Sequence, residues 1–213
     1  MEAPLIGISR HRIMVDGKGI TTLVAFHNCP LRCRYCLNAQ CLEPDGVLRT
    51  ITPEQLLEET RLDDLYFQAT GGGITFGGGE PLLRSTFIKA FCQIAPPEWN
   101  IAVETSLNVE RSHLERLLPF ISQYIIDVKD MNPTIYHAYT RKDNVRTLEN
   151  LRWLVEQNVA DRVKIRLPEI PDYNTPADVD RSQKTLEAMG FHDFERFTYL
   201  KEVRGKKGVR SKG

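Results

Sequence analysis

The sequence predicts an α/β fold: a curved parallel sheet with outer helices, forming a partial (β/α)6 barrel of TIM type. Three observations predict it. Short apolar runs alternate with amphipathic helical patterns through six units, the last lacking its helix, as strand–helix units with right-handed crossovers do. Six units are too few for an eight-stranded barrel and enough for a three-quarter one; a doubly wound open sheet is the alternative. The glycine-rich, acidic and cysteine-rich segments follow the apolar runs, at the strand ends where parallel α/β folds keep their chemistry.

The elements follow in order. A first strand spans 22–27. A helix over 52–66 is capped by Thr52, has Pro53 at its first position, and sets Leu56, Leu57 and Leu65 on one face. Strand 73–76 precedes helix 83–94. Strand 101–104 precedes helix 109–118, which Pro119 stops. Strand 124–128 leads to the clearest helix, 145–157, with Val145, Leu148, Leu151, Leu154 and Val155 on one stripe. Strand 163–167, a helix over 176–189 ended by Gly190, and a last strand over 197–200 complete the series. No low-complexity linker divides the chain. One domain over 1–204 is therefore expected, with a basic mobile tail over 205–213.

Composition narrows the function. At 213 residues, 41% hydrophobic and 26% charged, the chain is not a disordered, collagen-like or coiled-coil protein. Its longest apolar runs are a few residues, against about 20 for a membrane span, so no membrane association is expected. The first residues show no basic-then-apolar leader, and a cytoplasmic location follows. Lysine and arginine balance aspartate and glutamate at 28 each. From Lys201 onward six basic residues face one acidic one, so this end carries +5 and the rest −5. A uniformly basic nucleic-acid binder does not look like this, and no nucleic-acid partner is expected.

Three of the five cysteines, Cys29, Cys33 and Cys36, fall within eight residues with the spacing C-x3-C-x2-C. Clustered thiols in a reducing compartment point to metal rather than disulfides. Three thiolates on a four-iron cluster leave one iron open for another ligand. Zinc with Cys41 as a fourth ligand is the alternative, but no second C-x2-C pair or histidine lies nearby. Cys41 otherwise reads as a bystander and Cys92 as a core residue of a helix. The second signal is Gly71-Gly72-Gly73-Ile74-Thr75-Phe76-Gly77-Gly78-Gly79-Glu80-Pro81-Leu82-Leu83. Glycines at a strand end let backbone carbonyls approach a ligand ammonium, with the Glu80 carboxylate beside them; an ordinary tight turn is the bland reading. The next strand ends carry Glu104-Thr105-Ser106, then Asp127 and Lys129, then Arg166. Asp127 and Lys129 read equally well as a surface ion pair of little worth. Arg166 suits a carboxylate or ribose contact. The five histidines show no ligand spacing.

The cysteine spacing after a first strand, with Tyr35 before the third cysteine, resembles the radical S-adenosylmethionine superfamily. Longer strings resemble the glycyl-radical-enzyme activating enzymes, typified by pyruvate formate-lyase activase. These are Gly-Gly-Gly-Ile-Thr-Phe with Gly-Gly-Glu-Pro-Leu-Leu, Val15-Asp16-Gly17-Lys18-Gly19-Ile20, Asp127-Val128-Lys129-Asp130-Met131, Tyr139-Thr140-Arg141-Lys142-Asp143-Asn144 and Ile170-Pro171-Asp172-Tyr173-Asn174. The resemblance covers about residues 10–175. Departures occur at Lys18, Thr21, Gly77, Glu104, Leu107, Arg141 and Asp172, and they bear on the identity of the protein substrate.

The resemblance implies a 4Fe-4S cluster on Cys29, Cys33 and Cys36, whose open iron binds S-adenosylmethionine. Reductive cleavage then yields a 5′-deoxyadenosyl radical. Tyr35, Gly77, Gly78, Gly79 and Glu80 are implied as cofactor-binding, with Glu80 holding the methionine amino group or ordering the loop. Glu104, Thr105 and Asp127 are implied around the cofactor's polar groups or a monovalent cation, with Lys129 near its carboxylate or the substrate peptide. The activity implied is hydrogen abstraction from a glycine of a partner glycyl radical enzyme, with a flavodoxin- or ferredoxin-type electron donor. Two other readings stand: a radical S-adenosylmethionine enzyme acting on a small molecule or ribosomal peptide, and a zinc-stabilised binding module.

Overall fold

The computed structural model describes residues 1–199. The expected basic tail over 205–213, and residue 200 of the predicted last strand, lie outside the described residues. The chain runs β1 (Ala3–Ile13), β2 (Ile20–Phe26), β3 (Arg49–Ile51), α1 (Pro53–Thr60), α2 (Asp64–Thr70), β4 (Gly73–Gly78), α3 (Ser85–Ile94), β5 (Asn100–Thr105), α4 (Arg111–Leu117), β6 (Gln123–Asp127), α5 (Pro133–Thr140), α6 (Val145–Glu156), β7 (Val163–Glu169), α7 (Pro176–Met189) and β8 (Asp193–Thr198). The strands form one sheet in the order β3-β1-β2-β4-β5-β6-β7-β8. All neighbours from β2 to β8 pair in parallel. β1 is antiparallel to both β2 and β3.

The six parallel strands are the six expected from the sequence, and the sheet extends beyond them. β1 lacks a clean period of two because its register slips between Leu5 and Gly7 and between Ser9 and Arg12. β3 has three residues, too few for a pattern. β8 starts at Asp193 rather than 197, pairing Phe194 with Ile165 and Phe197 with Pro168.

Helices cover the outer face of the parallel strands, as such a sheet requires. Leu56, Phe87, Ile88, Phe91, Leu114, Leu117, Leu151, Leu154 and Leu186 are all buried there. Phe26 stacks on Phe76 at 5.6 Å, and Phe91 meets Phe76 edge-on at 5.5 Å. α1 begins as expected: Thr52 and Gln55 form a reciprocal capping box, with Pro53 in the first turn. The helix expected to continue to 66 breaks at 61–63, however, and Leu65 is exposed rather than on the face of Leu56 and Leu57. The break turns Asp63 inward. Its carboxylate, fully buried, accepts from Arg10, His11 and Thr22.

α6 is also corrected in its inner face. Val145 is exposed, and the buried positions include Thr147 and Asn150. Asn150 donates to the carbonyls of Leu107 and Val109, each at 2.9 Å, and Thr147 to that of Ser106 at 3.1 Å. The polar stripe of α6 therefore fixes the loop that follows β5, next to the candidate site. Among the described residues no helix is long and apolar enough to cross a membrane.

Candidate functional site

Five consecutive parallel strands and the segment after β8 deliver side chains to a single cavity of about 360 Å³, as only a curved sheet allows. Cys29, Cys33 and Cys36 come from the loop after β2; Gly78, Gly79 and Glu80 from the end of β4. Glu104, Thr105 and Ser106 come from the end of β5, Asp127 and Lys129 from that of β6, Arg166 from β7, and Tyr199 from the residue after β8. A larger cavity, about 440 Å³, opens at the opposite end of the sheet. It is lined by strand starts such as Asn100, Gln123 and Val163 and holds none of the cysteines, so the cavity at the C-terminal strand ends is the candidate site.

Backbone contacts hold the cysteine loop. Asn28 takes a φ of +85°, a conformation that asparagine tolerates better than most residues. Its N–H donates to the Cys41 carbonyl at 2.9 Å, and its carbonyl accepts from the Glu80 N–H at 2.8 Å. The N–H groups of Arg32 and Arg34 donate to the carbonyls of Thr140 and Tyr139. The Asn38 amide donates to the Gly78 carbonyl at 3.0 Å. The glycines make this approach possible. A Cβ on Gly79 would stand 2.2 Å from the Asn28 carbonyl oxygen, and one on Gly78, at φ +90°, 2.7 Å from the Ala25 Cα.

Burial pushes the Cys29 thiol up to about 12 and the Cys33 thiol to about 11. Both are protonated at neutral pH until a metal displaces the proton. Cys36 is lowered to about 6, first through a hydrogen bond from the Cys41 thiol. Cys41 itself is buried, with its thiol toward Cys36. Cys92 packs against the core from α3, as expected. Among the described residues, no three or more His, Cys, Asp or Glu side chains are arranged for a single metal ion.

The charged wall is an interlocked set. Glu80 is 1% exposed and accepts from the Leu82 N–H, the Thr105 hydroxyl at 2.6 Å, and the Ser106 N–H and hydroxyl at 3.0 and 2.7 Å. Both oxygens are engaged within the protein, so Glu80 braces the end of β5 against the glycine loop. Burial raises its carboxyl despite these donors. Arg166 spans two strands, donating to Asp127 at 2.7 Å and Glu104 at 3.0 Å. Lys129 donates to Asp127 at 3.0 Å and is hydrogen-bonded to the Tyr199 hydroxyl at 2.9 Å. Lys129 is 7% exposed, so this is no surface ion pair. Burial works against the Asp127 carboxylate, but Lys129 and Arg166 outweigh it and hold the group below its ordinary range. Glu104 is raised, first by burial and then by Asp127, against the pull of Arg166.

Two expected residues stand off the cavity wall. The Tyr35 hydroxyl donates to Asp172 at 2.9 Å, and its ring packs against Tyr139 and Tyr173. Gly77 lies just below the cavity, where a Cβ would stand 2.9 Å from a Glu104 carboxylate oxygen; its smallness makes room for that side chain. Sequence reasoning missed Arg12, Asp16, Asn38 and Tyr199 in the wall. Tyr199 follows the last strand, so the strand-end rule could have found it. Arg12 and Asp16 come from β1 and the turn after it, which no such rule covers.

Comparison with known proteins agrees with this geometry. The sequence model of the Radical SAM superfamily matches residues 23–181. The (2S)-3-sulfopropanediol dehydratase activating enzyme of Klebsiella oxytoca is 33% identical over 170 residues, 78% of this chain and 52% of that protein. The pyruvate formate-lyase 2-activating enzyme of Escherichia coli (strain K12) is 32% identical over 202 residues, 80% of this chain and 68% of that one. The chain spans about half the length of the first relative and about two thirds of the second. Streptococcus suis SuiB bound to S-adenosylmethionine is similar in fold, with a TM-score of 0.64 at 14% identity, over 90% of this chain and 45% of that one. The superfamily match takes in the cysteine loop and the ends of β2, β4, β5, β6 and β7, and the chain accordingly belongs to the radical S-adenosylmethionine superfamily, where it is similar to pyruvate formate-lyase activating enzymes.

Proposed function

We propose that the protein activates a partner enzyme by abstracting a hydrogen atom from one of its glycines. The observation that carries this reading is the single cavity joining the three cysteines, a glycine edge without side chains and seven charged residues, in a chain similar to activating enzymes. The residues fit the implied groups. Three thiols on one wall suit a 4Fe-4S cluster with an open iron, and Gly78 and Gly79 leave a backbone edge that any Cβ would obstruct. When bound, the cluster and S-adenosylmethionine supply a 5′-deoxyadenosyl radical.

The chain's own residues bind and orient. Cys29, Cys33 and Cys36 hold the cluster. The backbone at Gly78 and Gly79 receives the cofactor's ammonium, with Glu80 keeping that edge in place. Lys129 and Arg166, fixed by Asp127 and Glu104, offer donors to its carboxylate. Tyr35 and Gly77 support the site from outside the wall. A monovalent cation beside Glu104, Thr105 and Asp127 has less to support it, since Arg166 and Lys129 already hold both carboxylates. A glycine suits as target because a backbone loop without a side chain enters a narrow cavity at no steric cost. The reading includes a single domain over 1–204, a flavodoxin- or ferredoxin-type reductant and a cytoplasmic setting.

The test is anaerobic incubation of the reconstituted protein with S-adenosylmethionine, reductant and a glycyl radical enzyme. A glycyl doublet in electron paramagnetic resonance is expected on the partner, with one 5′-deoxyadenosine formed per radical. Repeated turnover on a small molecule or ribosomal peptide, with every candidate partner silent, would refute the activase reading.

A further inference from the structure

Tyr139 lies in the last turn of α5, is 1% exposed, and its hydroxyl has no hydrogen-bond partner among the described residues. Buried phenols normally find one, because an unpaired buried polar group loses its hydration with nothing in return. Tyr136, one turn earlier on the same helix, does: its hydroxyl meets Asn108 and Thr147.

The position of Tyr139 is fixed by independent contacts. Its carbonyl and that of Thr140 accept the N–H groups of Arg34 and Arg32, the residues on either side of Cys33. Its ring lies 6.1 Å from those of Tyr35 and Tyr199 and 5.2 Å from that of Tyr173. Tyr199 in turn bonds Lys129 in the cavity wall. The charges of Cys33 and Lys129 reach the Tyr139 hydroxyl, and the Tyr35 N–H of the cysteine loop faces its oxygen, which leaves the phenol proton without an acceptor. The unpartnered phenol therefore stands behind the middle cysteine of the loop.

We propose that the Tyr139 hydroxyl donates a hydrogen bond to sulfur on the Cys33 side of the iron–sulfur cluster and raises its reduction potential. The proposal rests on the reading of Cys29, Cys33 and Cys36 as cluster ligands. A neutral thiol is a weak acceptor; a metal-bound thiolate or sulfide is a far better one, and it gives the orphan proton its partner. Reduction adds negative charge to the sulfurs, so the bond is stronger in the reduced state and favours it. Tyr139 is thus a positioning and tuning residue, outside the reacting atoms.

The experiment compares the full chain with Tyr139→Phe and, as a control, Tyr124→Phe, which removes the other orphan phenol, on β6 beside Arg162 rather than at the cysteines. Each is reconstituted anaerobically; iron and sulfide are assayed, and the midpoint potential is titrated by the signal of the reduced cluster. Tyr139→Phe should bind as much iron as wild type and show a more negative midpoint, while Tyr124→Phe leaves the midpoint in place. The metal-free Tyr139→Phe protein should melt no lower than wild type, since the phenol proton has no acceptor within the described residues. An unchanged midpoint with a full cluster, an equal shift in Tyr124→Phe, or a lower melting temperature of the metal-free variant would overturn the proposal. Failure of wild type to take up iron would instead overturn the cluster assignment on which it stands.

Discussion

At the scale of single residues, Glu80 shows a motif side chain acting through the backbone. Each of its oxygens faces an N–H that cannot rotate: Leu82 on one side, Ser106 on the other. In Glu80→Gln the amide nitrogen must therefore face a fixed donor in either orientation. The expected loss is about 1–3 kcal/mol of stability, the cost of one unsatisfied buried group, read from the denaturation midpoint of the metal-free protein. An unchanged midpoint with weakened S-adenosylmethionine binding would mean that Glu80 contacts the cofactor directly. The importance of Glu80 was legible from its place after three glycines. Its partners were not, because Ser106 follows another strand and only the parallel register of β4 and β5 brings the two together. Asp127, Lys129 and Arg166 were legible as candidates for the same reason as Glu80, their position at strand ends. Whether they formed a surface pair or a buried set depended on the curvature of the sheet, which residue types do not encode.

At the scale of elements, the ends of β2 and β4 act as one unit. They pair from Thr21–Gly73 to Phe26–Gly78, and the Gly79 N–H then donates to the Phe26 carbonyl at 2.9 Å. A side chain at Gly79 collides with the Asn28 carbonyl, at the root of the cysteine loop. Gly79→Val should therefore lower both iron uptake and S-adenosylmethionine binding, measured by iron assay and equilibrium binding. Normal values of both would show that the loop is only a turn. Gly71→Ala serves as the control: a Cβ there meets nothing within 4 Å, and only the cost of its left-handed backbone, about 1 kcal/mol, is expected. The elements legible in the sequence were those with a regular period, namely the six parallel strands and their covering helices. β1 was hidden by its register slips, β3 by its length, and α5 by being eight residues long with a weakly patterned surface. The break between α1 and α2 follows from long-range capture of Asp63 by Arg10, His11 and Thr22, which no local propensity contains.

At the scale of the whole molecule, the fold gathers residues spread from Arg12 to Tyr199 around one cavity. Thiols, a bare backbone edge and a wall of basic and acidic side chains meet there, while helices bury the other face of the sheet. The central claim is that this cavity binds an iron–sulfur cluster and cleaves S-adenosylmethionine. The most direct measurement is 5′-deoxyadenosine formed by the anaerobically reconstituted full chain, given S-adenosylmethionine and a chemical reductant, with Cys33→Ala and Cys92→Ala in parallel. Wild type and Cys92→Ala should be brown and release 5′-deoxyadenosine, and Cys33→Ala should release none. Full cleavage by Cys33→Ala, or a colourless wild-type protein that binds zinc and releases no 5′-deoxyadenosine, would contradict the claim.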